Sequence, residues 1–162
     1  MLTEGLTLVE VLGLAVAQEV EAYKRYQLFA LRVQNPLVKE KFRSLAREER
    51  AHRKLIYEVL QRVTGETKPP LPKKAPRLNR EVEINRPLHE ILQIAIRKEQ
   101  EAQQFYREAA GRAKDPTGRR MLEYLAEFER GHERALQAEF DAVAKYPEWF
   151  EIEGPDIMLV GP

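Results

Sequence analysis

Apolar residues recur along this chain at alternating spacings of four and three positions, which is the pattern of a helix with one buried face. The pattern holds over four stretches and predicts four amphipathic helices. Their buried stripes are Leu8, Leu12, Ala15, Glu19, Ala22, Tyr26, Phe29 and Val33; Val38, Phe42, Leu45, Glu49, His52, Ile56, Val59 and Val63; Leu88, Leu92, Ala95, Glu99, Ala102, Tyr106, Ala109 and Ala113; and Leu122, Leu125, Glu129, His132, Leu136 and Val143.

Capping residues predict where these helices begin and end. A capping box, or an Asn or Asp followed by proline, marks a helix start, and glycine or proline marks a stop. The expected starts are Thr7-x-x-Glu10, Asn35-Pro36, a point near Pro87, and Asp115-Pro116, and the expected stops are Gly65 and Pro147.

The second half of the chain repeats the first at a spacing of 80 positions, as from Glu19 to Glu99. Identical pairs are Glu10/Glu90, Leu12/Leu92, Ala15/Ala95, Glu19/Glu99, Glu21/Glu101, Ala22/Ala102, Tyr26/Tyr106, Pro36/Pro116, Leu45/Leu125, Ala46/Ala126, Glu49/Glu129 and His52/His132. The repeat predicts an all-α four-helix bundle in residues 1–146, built from helical hairpins over about 7–64 and 87–145.

Two segments depart from the helical pattern. Residues 65–86 are rich in proline and basic residues and are expected to form an extended crossover between the hairpins. The tail, 147–162, is apolar from Trp149 to Val160. We expect it to pack along the bundle or a partner chain, because an apolar segment gains free energy by burial.

Six members of the buried stripes are titratable: Glu19, Glu49, His52, Glu99, Glu129 and His132. A buried carboxylate costs several kcal/mol unless it is compensated. Residues three apart share a helix face, so each Glu-x-x-His pair is able to hold one ion. One Glu from each of two helices with Glu-x-x-His from the other two is the ligand set of dinuclear carboxylate bundles. We therefore predict a site for two ions roughly 3.5–4 Å apart.

The predicted roles differ among the six residues. Glu19 and Glu99 are expected to bind one ion each, as are His52 and His132, whereas Glu49 and Glu129 are expected to bridge. Carboxylate and imidazole ligands suit iron or manganese, and zinc is also possible. The alternative is a dry core in which these groups pair only with one another.

Other polar residues receive simpler interpretations. Tyr26 and Tyr106 are core residues that are also placed to donate a hydrogen bond to a ligating carboxylate. Four glutamates next to the stripes, and one histidine at the third helix start, are expected to be solvated: Glu21, Glu48, Glu101, Glu127 and His89.

The composition of the chain limits the classes of partner and the cellular compartment that we expect. The net charge of +1 gives no reason to expect binding to nucleic acid or to a membrane surface. The chain contains no cysteine, which excludes thiolate chemistry and agrees with a reducing compartment. No signal peptide is recognisable, and we expect a cytoplasmic protein.

The segments Glu19-Val20-Glu21-Ala22-Tyr23-Lys24-Arg25-Tyr26 and Glu99-Gln100-Glu101-Ala102-Gln103-Gln104-Phe105-Tyr106, with their two Glu-x-x-His pairs, resemble the rubrerythrin branch of the ferritin-like superfamily. The resemblance covers about residues 8–145. It implies two iron ions as the cofactor, reduction of hydrogen peroxide with electrons from a rubredoxin-type centre, and a homodimer, in some members formed by exchange of hairpins.

Two departures from that family pattern matter. Rubrerythrins usually carry a rubredoxin domain with four cysteines, so a chain without cysteine would need a separate electron-donor protein. Many also have a further glutamate one turn after the third-helix ligand, where this chain has Ala102. The site is then more symmetric, as in bacterioferritin. A ferroxidase that oxidises Fe(II) with dioxygen or peroxide, and a non-enzymatic metal-binding bundle, therefore stay as alternatives.

Overall fold

The computed structural model describes residues 7–65 and 86–147 of the chain. The four predicted helices are present in these residues: α1 Leu8–Arg32, α2 Pro36–Thr64, α3 Leu88–Arg112 and α4 Pro116–Lys145. The all-α four-helix bundle is thus confirmed. Predictions for most of the crossover and for the tail from residue 148 fall outside the described residues.

The helix ends follow the capping residues. Thr7 and Glu10 form the reciprocal capping box of α1. Asn35 accepts hydrogen bonds from the first turn of α2, and Asp115 accepts one from the backbone of Gly118 in α4. Gly65 ends α2 with φ of 71°, a left-handed conformation in which glycine avoids the steric cost of a Cβ.

The helices pair as two antiparallel hairpins, α1 with α2 and α3 with α4. The hairpins meet where α1 lies against α3 and α2 against α4. Tyr26 contacts Glu99 while Tyr106 contacts Glu19, so α1 and α3 also run antiparallel. The two hairpins that repeat in the sequence are therefore related by a pseudo-twofold axis.

Two apolar clusters fill the interior, one toward each end of the bundle. One contains Leu12 of α1, Ile56 of α2, Tyr106 of α3 and Leu122 of α4. The other contains the opposite ends of the same helices, including Phe29, Phe42, Leu92 and Leu136. Along every helix the titratable stripe residues lie between these clusters, so apolar packing positions the site from both sides.

Most stripe residues are buried, but the prediction for Val63 was wrong. Its side chain lies in the last turn of α2 and is 47% exposed. The bundle no longer covers that face so close to the helix end. None of the described helices combines the length and the apolar character needed to cross a bilayer.

Candidate metal centre

The six titratable stripe residues come together at the middle of the bundle. Each is nearly inaccessible to solvent, from 0% exposure for Glu49 to 4% for the two histidines. Each helix contributes through its buried face, with one glutamate on α1 and on α3 and a Glu-x-x-His pair on α2 and on α4. The structure therefore brings together every residue that the sequence predicted as a ligand.

The six residues form two overlapping groups of four. One group, which we call the His52 position, consists of Glu19, Glu49, His52 and Glu129. The other, the His132 position, consists of Glu99 and His132 with the same Glu49 and Glu129. Within each group, one ligand atom from every residue lies within 4.8 Å of the others. Glu49 and Glu129 are thus shared, as bridging carboxylates would be.

Both imidazoles present the same nitrogen to the carboxylates. Nδ1 of His52 lies 3.3 Å from Glu49, 3.4 Å from Glu19 and 3.5 Å from Glu129. Nδ1 of His132 lies 3.1 Å from Glu49 and 3.6 Å from both Glu99 and Glu129. The rings stack with their centroids 5.6 Å apart. Nδ1 is therefore the nitrogen available to an ion at each position.

Several buried atoms of the cluster have no hydrogen-bond partner among the described residues. They are one oxygen each of Glu19, Glu49 and Glu129, Nδ1 of His132 and Nε2 of His52. Buried polar atoms without partners are rare, because each has lost its hydration. All five atoms belong to residues of the overlapping ligand groups, and the oxygen and imidazole ligands of these residues fit divalent iron or manganese.

Two tyrosines are hydrogen-bonded to Glu19 and Glu99, the glutamates that belong to only one ligand group each. Tyr26 donates a hydrogen bond to Glu99, and Tyr106 donates one to Glu19. Both rings are buried. The hydrogen bonds predicted for these tyrosines are thus present, and each tyrosine donates to a glutamate of the opposite hairpin.

Burial and mutual repulsion divide the protons of the metal-free cluster unequally. Burial, and then the charges of Glu49 and Glu129, raise the pKa of Glu19 well above its usual range. Burial and Glu129 do the same to the pKa of Glu99. These two carboxyl groups therefore favour the neutral form.

The pKa shifts of the two shared glutamates and of the histidines favour the charged forms instead. Burial opposes ionisation of Glu49 and Glu129, but hydrogen bonds with their titratable neighbours outweigh it, and the pKa of each is lowered. Burial also opposes the charged imidazoles, yet the carboxylates close to each ring raise the pKa of His52 to about 11 and raise the pKa of His132 further. The favoured cluster thus has two anions and two cations.

A third carboxylate beside the histidines was missed by the sequence analysis. Glu48 was predicted to be solvated, and its side chain is indeed 45% exposed, but its Oε2 lies 2.6 Å from Nε2 of His132. The contact joins α2 to α4, so no spacing within one helix signals it. Glu21, Glu101 and Glu127 do not appear in the two ligand groups, and His89 is exposed as predicted.

A cavity of about 100 Å³ between α1 and α3 opens onto the cluster. All four glutamates of the cluster line it. Its walls also include Ala22 and Ala102, which leave room above the site, and the acidic residues Glu21 and Glu101. A small molecule or an ion therefore has a route to the carboxylates.

Comparisons with known proteins bear on the family of this chain. The family model for rubrerythrin matches residues 10–140. No curated protein sequence matches the chain. A solved structure of a hypothetical protein from Pyrococcus furiosus is similar, with 27% identity and a TM-score of 0.75 over 87% of this chain and 92% of that one.

Two solved structures with lower identity show the shared fold alone. The bacterioferritin of Rhodobacter capsulatus, described with a metal-free dinuclear site and a heme iron, is 24% identical with a TM-score of 0.74, over 88% of this chain and 89% of that one. A manganese catalase from Anabaena is 19% identical with a TM-score of 0.69, over 98% and 80%. With the family match over most of its length and a buried carboxylate and histidine cluster at its centre, this chain belongs to the rubrerythrin family.

Proposed function

We propose that this protein is an oxidoreductase that reduces hydrogen peroxide at a dinuclear iron centre. The observation that carries the proposal is the pair of overlapping ligand groups that share Glu49 and Glu129. Glu19 and His52 would hold one ion, and Glu99 and His132 would hold the other. The shared glutamates would bind both ions, which offsets the repulsion of four buried carboxylates.

The reaction requires electrons, protons and access. Reduction of one hydrogen peroxide to two water molecules breaks the O–O bond and consumes two electrons and two protons. When bound, two iron ions would supply the two electrons. The cavity beside Ala22 and Ala102 offers a route for peroxide, and Tyr26 and Tyr106 fix the outer glutamates.

The electrons that peroxide consumes would have to be replaced after each turnover. The chain has no cysteine with which to bind a rubredoxin-type iron centre of its own. We therefore propose a separate electron-donor protein, in a reducing compartment such as the cytoplasm.

A ferroxidase is the second candidate, and one observation favours it. The cavity to the cluster is lined by Glu21 and Glu101 in addition to the four cluster glutamates. Arg25 and Lys98 also line the cavity, and Lys98 pairs with Glu101, but six carboxylates outnumber these two cations. A route with an excess of carboxylates attracts cations and suits an enzyme that takes up Fe(II) as its substrate. Manganese and zinc stay as alternatives to iron as the resident metal. Elemental analysis of protein purified without added metal distinguishes the three.

Oxidation kinetics distinguish these functions. Protein loaded anaerobically with two Fe(II) per chain is mixed with equal concentrations of hydrogen peroxide or dioxygen, and oxidation is followed by stopped-flow absorption. A peroxidase should oxidise at least tenfold faster with peroxide and should turn over repeatedly with a chemical reductant. Faster oxidation by dioxygen, with uptake of further Fe(II), would favour the ferroxidase. No oxidation with either would reject both.

We also propose that the chain forms a homodimer. Leu31 and Leu37, near the turn between α1 and α2, are each 78% exposed, and contact with a second copy would bury them. Exchange of hairpins is a route to such a dimer. Light scattering of the purified protein at micromolar concentration should give twice the mass of the chain; the mass of one chain would exclude the dimer.

A further inference from the structure

The pseudo-twofold repeat allows the two metal positions to be compared residue by residue. Every ligand on the first hairpin has an identical residue 80 positions later on the second. The two hairpins differ at one position that lies next to the histidines. Glu48 of α2 is matched by Phe128 of α4. The residue types that contact the outer edges of the two imidazoles therefore differ.

His132 has a carboxylate near each nitrogen of its ring, and it is hydrogen-bonded at Nε2. Nδ1 faces the three carboxylates of its own position, and Nε2 lies 2.6 Å from Glu48. A carboxylate only accepts, so this contact places a proton on Nε2, and Nδ1 is the nitrogen that an ion would use once its own proton has left. Such a partner fixes the orientation of a ligating imidazole and makes it a stronger donor to the metal.

His52 lacks that partner. Its Nε2 is buried and has no hydrogen bond to any residue in 7–65 or 86–147. The ring of Phe128 packs against this imidazole, nearly perpendicular to it and with the two ring centroids 4.5 Å apart. Phenylalanine holds the ring by packing but accepts no conventional hydrogen bond. Among the described residues, His52 therefore has no partner that fixes its tautomer as Glu48 fixes that of His132.

Glu48 also connects His132 to solvent. A groove between α2 and α4, with a cavity volume of about 340 Å³, is lined by Glu48 and His132 together with Lys41, Ser44 and Gly131. Because Glu48 is half-exposed at this groove, its replacement does not remove a residue from the apolar core. Its contribution to metal binding is therefore separable from its contribution to folding.

We propose that the two metal positions are unequal, and that Glu48 is the positioning residue that makes the His132 position fill first and bind more tightly. The inference rests on the proposed dinuclear centre. It assigns the difference to one substituted pair, Glu48 and Phe128, rather than to the ligands, which are identical in type.

Stepwise metal binding tests the assignment without any turnover. Metal-free protein is titrated anaerobically with Co(II), followed by calorimetry and by visible absorption. The full chain should bind two ions in two resolved steps. Glu48→Gln should weaken the tighter step by about 10- to 100-fold, the usual effect of losing a carboxylate behind a ligating histidine, and should leave the weaker step unchanged.

Two further variants sharpen the test. Phe128→Glu supplies the missing carboxylate to His52 and should strengthen the weaker step. Glu127→Gln removes an exposed carboxylate from the same groove and should change neither step. If circular dichroism shows that Phe128→Glu does not fold, the comparison of Glu48→Gln with Glu127→Gln decides alone.

The outcomes separate the inference from the function on which it rests. Two equal steps in the wild-type chain, or equal effects of Glu48→Gln and Glu127→Gln, would overturn the inequality while leaving the dinuclear centre intact. Binding of fewer than two ions by the wild-type chain would reject the dinuclear centre, and the inequality with it.

Discussion

Tyr26 of α1 donates a hydrogen bond to Glu99 of α3, 73 positions later in the chain. The pseudo-symmetric bond from Tyr106 to Glu19 spans 87 positions. Together the two bonds tie the first hairpin to the second across the candidate metal centre, and each one orients a carboxylate that only one ion would use.

The first prediction is that Tyr26→Phe and Tyr106→Phe weaken the site to similar extents. Either change removes a donor from a buried carboxylate, so we expect about a tenfold loss of metal affinity. The metal-free protein should lose about 1–3 kcal/mol of stability. Tyr124→Phe is the control, because the Tyr124 side chain is 49% exposed. Calorimetry and urea denaturation measure both effects; equal losses in all three variants would contradict the prediction.

The second prediction concerns the histidines as ligands. His52→Ala and His132→Ala should each lower the bound metal to one ion per chain or fewer and abolish turnover, while the helices remain, because the apolar clusters on both sides of the site carry most of the fold. His89→Ala changes an exposed histidine and should alter nothing. Metal analysis and circular dichroism provide the measurements. Loss of helix in the first two variants would show that the histidines are structural.

The third prediction is that protons compete with the ions. In the metal-free cluster the raised pKa values of Glu19, Glu99, His52 and His132 favour four protons, whose charge equals that of two divalent ions. Binding requires deprotonated ligands, so up to about four protons should leave as two ions enter. Affinity should therefore rise with pH and fall as the solution is acidified. Calorimetry in buffers of different ionisation enthalpy counts the protons; release of none would refute this.

The fourth prediction uses two glycines in opposite conformations. A Cβ at Gly131, inside α4, would meet no atom within 4 Å, and Ala51 occupies the equivalent place in α2. Gly131→Ala should therefore stabilise the protein by about 1 kcal/mol. Gly65 has positive φ, so Gly65→Ala should destabilise it, by about 1 kcal/mol. Urea denaturation should show the two midpoints moving in opposite directions; a shared direction would count against this reasoning.

Much of this protein can be predicted from the sequence, because its signals are local and repeated. Helix periodicity depends only on neighbouring residues, and Thr7, Asn35, Asp115 and Gly65 mark the helix ends. Charged residues in apolar stripes are conspicuous, since burial of a charge needs compensation. One Glu-x-x-His motif is a weak signal. Because the motif recurs at a spacing of 80 together with a second buried glutamate, the repeat predicts one site of six residues.

Only the tertiary structure decided which residues of other helices contact these six side chains. The bonds from each tyrosine to the opposite hairpin, the choice of Nδ1 as the inward nitrogen, and the contact of Glu48 with His132 all depend on how the two hairpins are placed against each other. Periodicity along one helix contains no information about that placement. It assigned Glu48 to solvent because it measures which face a residue occupies, whereas the contact depends on how closely α2 approaches α4.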